Sequence, residues 1–202
     1  EMSASLVGSE MCIRDRAWYP GQQGGTAVAE VLFGDYNPGG RLPVTFYRNM
    51  SQLPDFEDYN MTGRTYRYMT QQPLFPFGYG LSYTTFDYGK LSLDKEQIKQ
   101  GEPLKLAVSV TNSGQCDGEE VVQVYLKKQD DAEGPGKTLR AFKRVYIPAG
   151  KSVNVEFDLK DKELEWWDAQ SNTMRVCAGK YDIMVGRSSQ DQDLQRGSFV
   201  IE

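Results

Sequence analysis

Histidine is missing from all 202 residues. Its absence excludes Ser-His-Asp chemistry, histidine general bases and imidazole metal sites in one step. Cysteine is scarce. Cys12, Cys116 and Cys177 show no CxxC or other ligand-like spacing. Two of them could pair, but Val176, Cys177 and Ala178 suit a buried small thiol better than a disulfide framework. Basic residues are not in excess: 23 Lys and Arg face 28 Asp and Glu, for a net charge of −5. That balance leaves no cationic footprint for nucleic acid. Runs of eighteen or more apolar residues are absent, so no helical membrane span is expected. The sequence does not open on a secretory signal, which in a piece of a longer chain decides nothing about compartment.

What is present is an apolar fraction of 39% with 12% aromatics, sufficient for a globular core. The densest stretch is residues 63–86, GRTYRYMTQQPLFPFGYGLSYTTF. Tyr66, Tyr68, Phe75, Phe77, Tyr79, Tyr83 and Phe86 share it with Pro73 and Pro76. The prolines deny a helix, and Gly78 and Gly80 permit unusual backbone angles or close backbone approach. Such a segment reads as an irregular connection glued between other parts of the chain.

Upstream, residues 1–16 have neither helical nor alternating periodicity. SASLVGSEMCIRDR resembles translated adapter sequence, and the segment is expected to be non-native. Trp18, Tyr19, Pro20 and Gly21 form a turn signal. Residues 26–33 carry Ala27, Val28, Val31 and Leu32 on one helical stripe, and Gly34 is placed to end the helix. Gly24 and Gly25 could present a helix N-terminus to an anion, but without GxGxxG or a phosphate-loop lysine they fit tight helix packing better. After a turn-rich run, residues 41–46 (RLPVTF) predict a short edge strand containing Pro43. Asp55, Glu57 and Asp58 follow in a polar loop. Paired carboxylates are what glycoside hydrolysis requires, but carboxylates in a solvated loop lack the burial that tunes proton affinity.

The alternation of charge and aromatic in Arg64, Tyr66, Arg67 and Tyr68 predicts a strand with both tyrosines on one face. Aromatic faces stack on sugars and arginine donates to hydroxyls or carboxylates, so these four are the weak substrate-binding candidates. A clamp between domains uses the same residues. Beyond residue 86 seven β-rich runs are separated by turn signals: 104–110, 121–126, 142–147, 153–159, 164–168, 179–186 and 197–201. That pattern describes a β-sandwich. With roughly 115 residues it buries enough surface to fold without disulfides. Trp166 and Trp167 alternate faces, so at most one belongs to the core. Asp130, Asp131 and Glu133 lack the calcium-loop pattern, and no metal or other cofactor is expected.

Three ordered blocks carry a family resemblance: AWYPGQQGGTAVAEVLFGDYNPGGRLPVTF over 17–46, PLFPFGYGLSYTTF over 73–86, and the β-rich remainder. Together they resemble the C-terminal part of a glycoside hydrolase family three β-glycosidase. The resemblance implies a mainly β chain: a fibronectin type III-like, immunoglobulin-like sandwich over 86–202, preceded by a remnant of an α/β sandwich domain over 17–50 and an interdomain linker over 51–85. Gly24 and Gly25 would then support the wall of a sugar-binding crevice. The GRTYRY block looks more like the xylosidase and arabinofuranosidase branch than the glucosidase branch. The family's retaining mechanism uses an aspartate from a barrel domain and a glutamate upstream of the WYPG block. No residue here matches either, so no catalytic residue is assigned and the chain alone is expected to be inactive. The implied partners are an oligosaccharide, met through the parent enzyme, and the missing domains of the same polypeptide. A periplasmic or secreted parent is compatible with the family. A stand-alone carbohydrate-binding module and an adhesive sandwich domain are the rival readings.

Overall fold

The structure, a computed structural model, describes residues 21–202. The expectations for residues 1–16, for Cys12 and for the start of the WYPG turn lie outside the described residues. The chain divides into two units, Glu1–Asn37 and Pro38–Glu202.

In the first unit, helix α1 spans Gly24–Phe33. Gly34 ends it at φ 85°, in the left-handed region, with its N–H on the Val31 carbonyl. Leu32 and Phe33 are exposed. The expected helix is therefore present, begun two residues earlier by the glycine pair.

The second unit is built around a two-sheet sandwich. In the first sheet β4 (Leu104–Asn112) is central. β7 (Ser152–Leu159) flanks it antiparallel on one side. The other side is shared by two short pieces, β1 (Phe86–Tyr88) against residues 110–112 and β2 (Ser92–Leu93) against 106–107. The second sheet runs β3 (Gln97–Ile98), β11 (Leu194–Ile201), β10 (Gly179–Gly186), β5 (Gly118–Lys128), β6 (Thr138–Ile147). Only the β3–β11 pairing in this sheet is parallel. A hairpin of β8 (Glu165–Asp168) and β9 (Thr173–Val176) stands apart, entered through a helical turn, α3 (Asp161–Leu164).

Alternation explains the core. Leu104, Leu106, Val108 and Val110 of β4 point inward, as do Val155, Phe157 and Leu159 of β7. From the other sheet Val122, Val124, Leu126, Tyr181, Ile183, Val185, Phe199 and Ile201 meet them. Each fully buried apolar side chain contributes about 1.5–3 kcal/mol. Tyr181 and Phe199 are register partners and stack, with centroids 5.4 Å apart. Trp166 is buried with its ring edge-on to Tyr181, whereas Trp167 is exposed, so the pair divides as its alternation requires. Asn112 is one of the buried polar residues. Its Nδ2 donates to the Cys116 and Ile147 carbonyls at 2.8 and 2.9 Å, and its Oδ1 accepts from Thr84 Oγ1 at 2.5 Å and Gly114 N–H at 3.1 Å. A buried amide so fully satisfied stitches β4 to β6 and to the incoming chain. Cys116 is exposed and Cys177 half-buried, and both are free thiols.

Two expected strands are absent. Residues 41–46 make one isolated bridge, Phe46 to Phe75. Leu42 exchanges backbone bonds with Gly78 and Tyr79, and Phe46 with Leu74 and Phe75. Between these contacts Pro43 and Pro76 have no N–H to donate, so the ladder breaks. Residues 65–68 are a single helical turn, α2 (Thr65–Tyr68), and not a strand. Gly63 at φ 73° and Thr65 at φ 54° reverse the chain locally. Its carbonyl at Arg67 then accepts the Gly136 N–H at 2.7 Å. Charge alternation was present in the sequence, but no strand lies alongside to pair with it.

Candidate functional site

β5 is buried on both faces, which a two-sheet sandwich alone does not explain. Its inward residues enter the core. Its outward residues Gln123 and Tyr125 are covered by the segment 63–80. Tyr66 stacks on Phe77 with centroids 4.3 Å apart and meets Tyr125 edge-on at 5.8 Å. Met184, the register partner of Tyr125, and Leu194 and Leu139 complete this second apolar cluster. The Tyr66 hydroxyl accepts the Leu139 N–H at 3.1 Å. Phe77 is fixed by its own carbonyl, which accepts the Ser189 N–H at 2.9 Å.

Gly78 lies at the tightest point. Its φ is 79°, and a Cβ there would collide with the Gln123 side chain. Gln123 Nε2 donates to the carbonyls of Gly78 (3.2 Å) and Arg187 (2.5 Å), and its Oε1 accepts from the Tyr125 hydroxyl at 2.6 Å. Burial pushes the Tyr125 phenol up. Further along, Phe75 stacks on Tyr79 at 5.1 Å and meets Phe46 edge-on at 6.3 Å. Arg41 then reaches Glu120 on β5 at 2.9 Å, with the Glu120 side chain buried and that of Arg41 mostly covered. Desolvation raises the Glu120 carboxyl above its ordinary range although Arg41 opposes it. Tyr88, whose buried hydroxyl has no partner, feels the same carboxylate and is pushed well up by burial.

Two clefts border this junction. The larger, about 390 Å³, lies between residues 69–76 and 189–192 and has Lys137 in its wall. Lys137 Nζ is occupied by Asp191 Oδ1 at 2.5 Å and the Ser189 carbonyl at 2.8 Å. The smaller, about 300 Å³, is lined by Arg41, Glu120, Arg187 and Asp193 among others. Asp193 accepts from Arg187 at 3.0 Å and from the Ser188 hydroxyl at 2.6 Å. The smaller cleft thus holds two carboxylates, but each is committed to an arginine. A glycosidase pair needs one carboxyl free to carry a proton.

The four candidate residues are brought close to the junction but not into a common pocket. Arg64 Nε donates to the Asn60 carbonyl at 2.9 Å and its terminal nitrogen reaches the Asp58 carbonyl, so it closes its own loop. Tyr66 is sandwiched as described. Arg67 lies 5.9 Å from the Tyr68 ring centroid, and its Nε is buried without a partner. Among the loop acids, Asp55 and Glu57 are exposed. Asp58 accepts both the backbone and side-chain N–H of Asn60, which hold its carboxyl below the usual range, the opposite of what a catalytic acid needs. Asp131 receives the Trp166 indole N–H at 2.7 Å.

Sequence reasoning missed Arg41, Glu120 and Gln123. The signal available was the polar interruption of a valine-rich run, GEEVVQVYL, by Glu120 and Gln123. Polar residues inside a strand buried on both faces need partners.

Two domain models match this chain. The glycosyl hydrolase family 3 C-terminal domain matches residues 16–83, and the fibronectin type III-like domain matches residues 120–189. A xylan 1,4-beta-xylosidase of Xylanibacter ruminicola is 54% identical over 90% of this chain and 21% of its own length. A periplasmic beta-glucosidase of Salmonella typhimurium is 36% identical over 90% and 25%. A solved b-glucosidase from Erythrobacter marinus is 39% identical with a TM-score of 0.78, covering 92% of this chain and 24% of that one. The chain thus spans about a fifth to a quarter of the length of the relatives it matches. The chain thus carries a glycosyl hydrolase family 3 C-terminal domain over residues 16–83 followed by a fibronectin type III-like domain over residues 120–189, the C-terminal part of a longer glycosidase-type chain.

Proposed function

We propose that this chain is the scaffold end of a retaining β-glycosidase acting on terminal β-xylosyl or β-glucosyl residues of plant-type oligosaccharides. On this reading residues 41–80 are fastened to a fibronectin type III-like sandwich, and the chain supplies no catalytic carboxyl. The observation that carries it is the junction itself. Tyr66, Phe77 and Gly78 cover the outer face of β5, and Arg41 reaches Glu120 across the same seam. Such a seam fixes the family's C-terminal segment to the sandwich and leaves the cleft carboxylates neutralised by arginines. The xylosidase branch is favoured by the GRTYRY block and by the 54% identity to a xylan 1,4-beta-xylosidase. The test is a chimera in which residues 21–202 replace the matching segment of the Xylanibacter relative. Release of xylose from xylobiose at a rate near the relative's own is the expected outcome. A folded chimera no more active than the relative truncated before that segment contradicts the proposal.

A second reading has one observation in its favour. Phe142 and Tyr146 are both exposed and, four residues apart on β6, share a face as a carbohydrate-binding module would require. Calorimetric titration with xylo- and cello-oligosaccharides decides it, and the scaffold reading predicts no heat of binding.

A further inference from the structure

Among the buried polar atoms without partners, Arg67 Nε, Thr138 Oγ1 and Arg140 Nε belong to two segments that are tied together, α2 and the start of β6. Their proximity follows from the fold. The Gly136 N–H donates to the Arg67 carbonyl, and the Leu139 N–H donates to the Tyr66 hydroxyl, so α2 is tied to the start of β6 at two points. Thr138 and Arg140 belong to that same strand start.

Arg140 is placed there by a bulge. In the β5–β6 register Val124 pairs with Ala141 and Tyr125 with Leu139, so Arg140 is the extra residue with no opposite number. Bulges re-aim a side chain. Here the guanidinium lies 5.2 Å from the centroid of the Trp166 ring. Arg67 lies over Tyr68 in the same manner. Neither arginine forms an ion pair among the described residues. The two feel each other: burial first, then the charge of Arg67, holds the Arg140 guanidinium below its ordinary value, and the opposing pull of Glu165 is smaller.

All three atoms can donate a hydrogen bond, and two belong to permanent cations. The complement of two like-charged forks and a hydroxyl is an acceptor-only, negatively charged group. A buried unpaired donor calls for an occupant, a water or an ion. Water satisfies the hydrogen bonds but does nothing for the mutual repulsion of two partly desolvated guanidinia. An oxyanion satisfies both, by charge-assisted and bidentate bonds. The flat faces of Tyr68 and Trp166 hold the two forks from behind, which pre-organises them and lowers the cost of binding.

We propose that Arg67, Thr138 and Arg140 form an oxyanion-binding site, for a carboxylate-bearing saccharide or for inorganic phosphate. The site is separate from both clefts, and its failure would leave the scaffold reading untouched. The test uses the 202-residue chain and its R67Q and R140Q variants. Thermal unfolding is followed at constant ionic strength with added glucuronate, inorganic phosphate or glucose. Trp166 fluorescence is read in parallel, because the guanidinium on that ring must shift when an anion docks. The expected result is a saturable rise in Tm, with a fluorescence change, for glucuronate or phosphate and none for glucose. A response to glucuronate alone identifies the sugar acid as the source, and one to phosphate alone the inorganic ion. Both variants should lose the saturable part and keep only the weak, linear stabilisation that excluded anions give any protein. R67Q sits on a half-exposed turn and carries the test if R140Q does not fold. No saturable response in the unmodified chain, a response to glucose equal to that for glucuronate, or a response unchanged in R67Q overturns the proposal.

Discussion

At the scale of single residues, Gly78 and the Arg41–Glu120 pair determine whether the seam closes. Gly78→Ala places a Cβ in the left-handed region and against Gln123. It is expected to destabilise the chain by roughly 2–4 kcal/mol, read as a lower urea midpoint with little change in slope. Arg41→Met leaves Glu120 buried without its cation, at an expected cost of about 3–5 kcal/mol. The double variant Arg41→Met with Glu120→Leu should recover most of that loss, because two apolar groups replace two charges. A double-mutant cycle in urea checks both numbers, and a double variant as unstable as Arg41→Met alone would show that the pair is not the cause. Of these residues only Gly78 was legible beforehand, through its place in an aromatic run. Arg41 and Glu120 lie 79 positions apart, and each alone resembles an ordinary surface charge. Only the three-dimensional approach of the junction to β5 makes them a pair.

At the scale of elements, the sandwich strands were legible because period-two alternation is a local property. The run 179–186 is β10 to the residue, and the run 153–159 is β7 less its first residue. What could not be read was any element whose conformation depends on a distant neighbour. Residues 63–68 alternate like a strand but curl into a helical turn, since Tyr66 is drawn between Phe77 and Tyr125. Residues 41–46 have strand composition but face a partner interrupted by Pro76, and carry Pro43 themselves. The bonds that Arg64 and Tyr66 make were equally unreadable: Arg64 closes its own loop, and Tyr66 accepts the Leu139 N–H while its side chain also borders the larger cleft. The junction is therefore expected to act as one element with the sandwich. Tyr66→Ala or Phe77→Ala should each cost about 3–5 kcal/mol. A chain starting at residue 84 should expose Tyr125, Met184 and Gln123 and lose hydrogen-exchange protection along β5 and β10. Protection unchanged by that truncation would mean the junction merely lies on the sheet.

At the scale of the whole molecule, charge and chemistry point the same way. Backbone or hydroxyl donors hold several carboxyls below the usual range: Asn60 at Asp58, Lys99 at Glu102, Tyr146 at Asp117 and Ser171 at Asp168. Asp191 is lowered too, where Lys137 and Arg196 overcome the burial that opposes them. A carboxyl depressed in the folded state contributes stability above its unfolded value, about pH 4, and loses it as pH falls through the folded value. Glu120 has the opposite sign. Being raised, it contributes most when protonated and loses that contribution as pH rises through its folded value. Five groups against one predict a urea midpoint that falls steadily from about pH 5 to about pH 3. A midpoint flat across that range would contradict these assignments.

The same tally bears on function. The carboxyls lowered by hydrogen bonds are held as anions, and the raised one, Glu120, is sealed against Arg41. Glu120 is thus shifted in the direction a glycosidase acid requires, but it is buried and bonded to Arg41 instead of being free to pass a proton. The most direct measurement is the release of nitrophenol from p-nitrophenyl β-xyloside and β-glucoside by the purified 202-residue chain. The scaffold account predicts no turnover above buffer at any pH. Turnover that co-purifies with the chain and disappears in an Asp193→Asn or Glu120→Gln variant would contradict it.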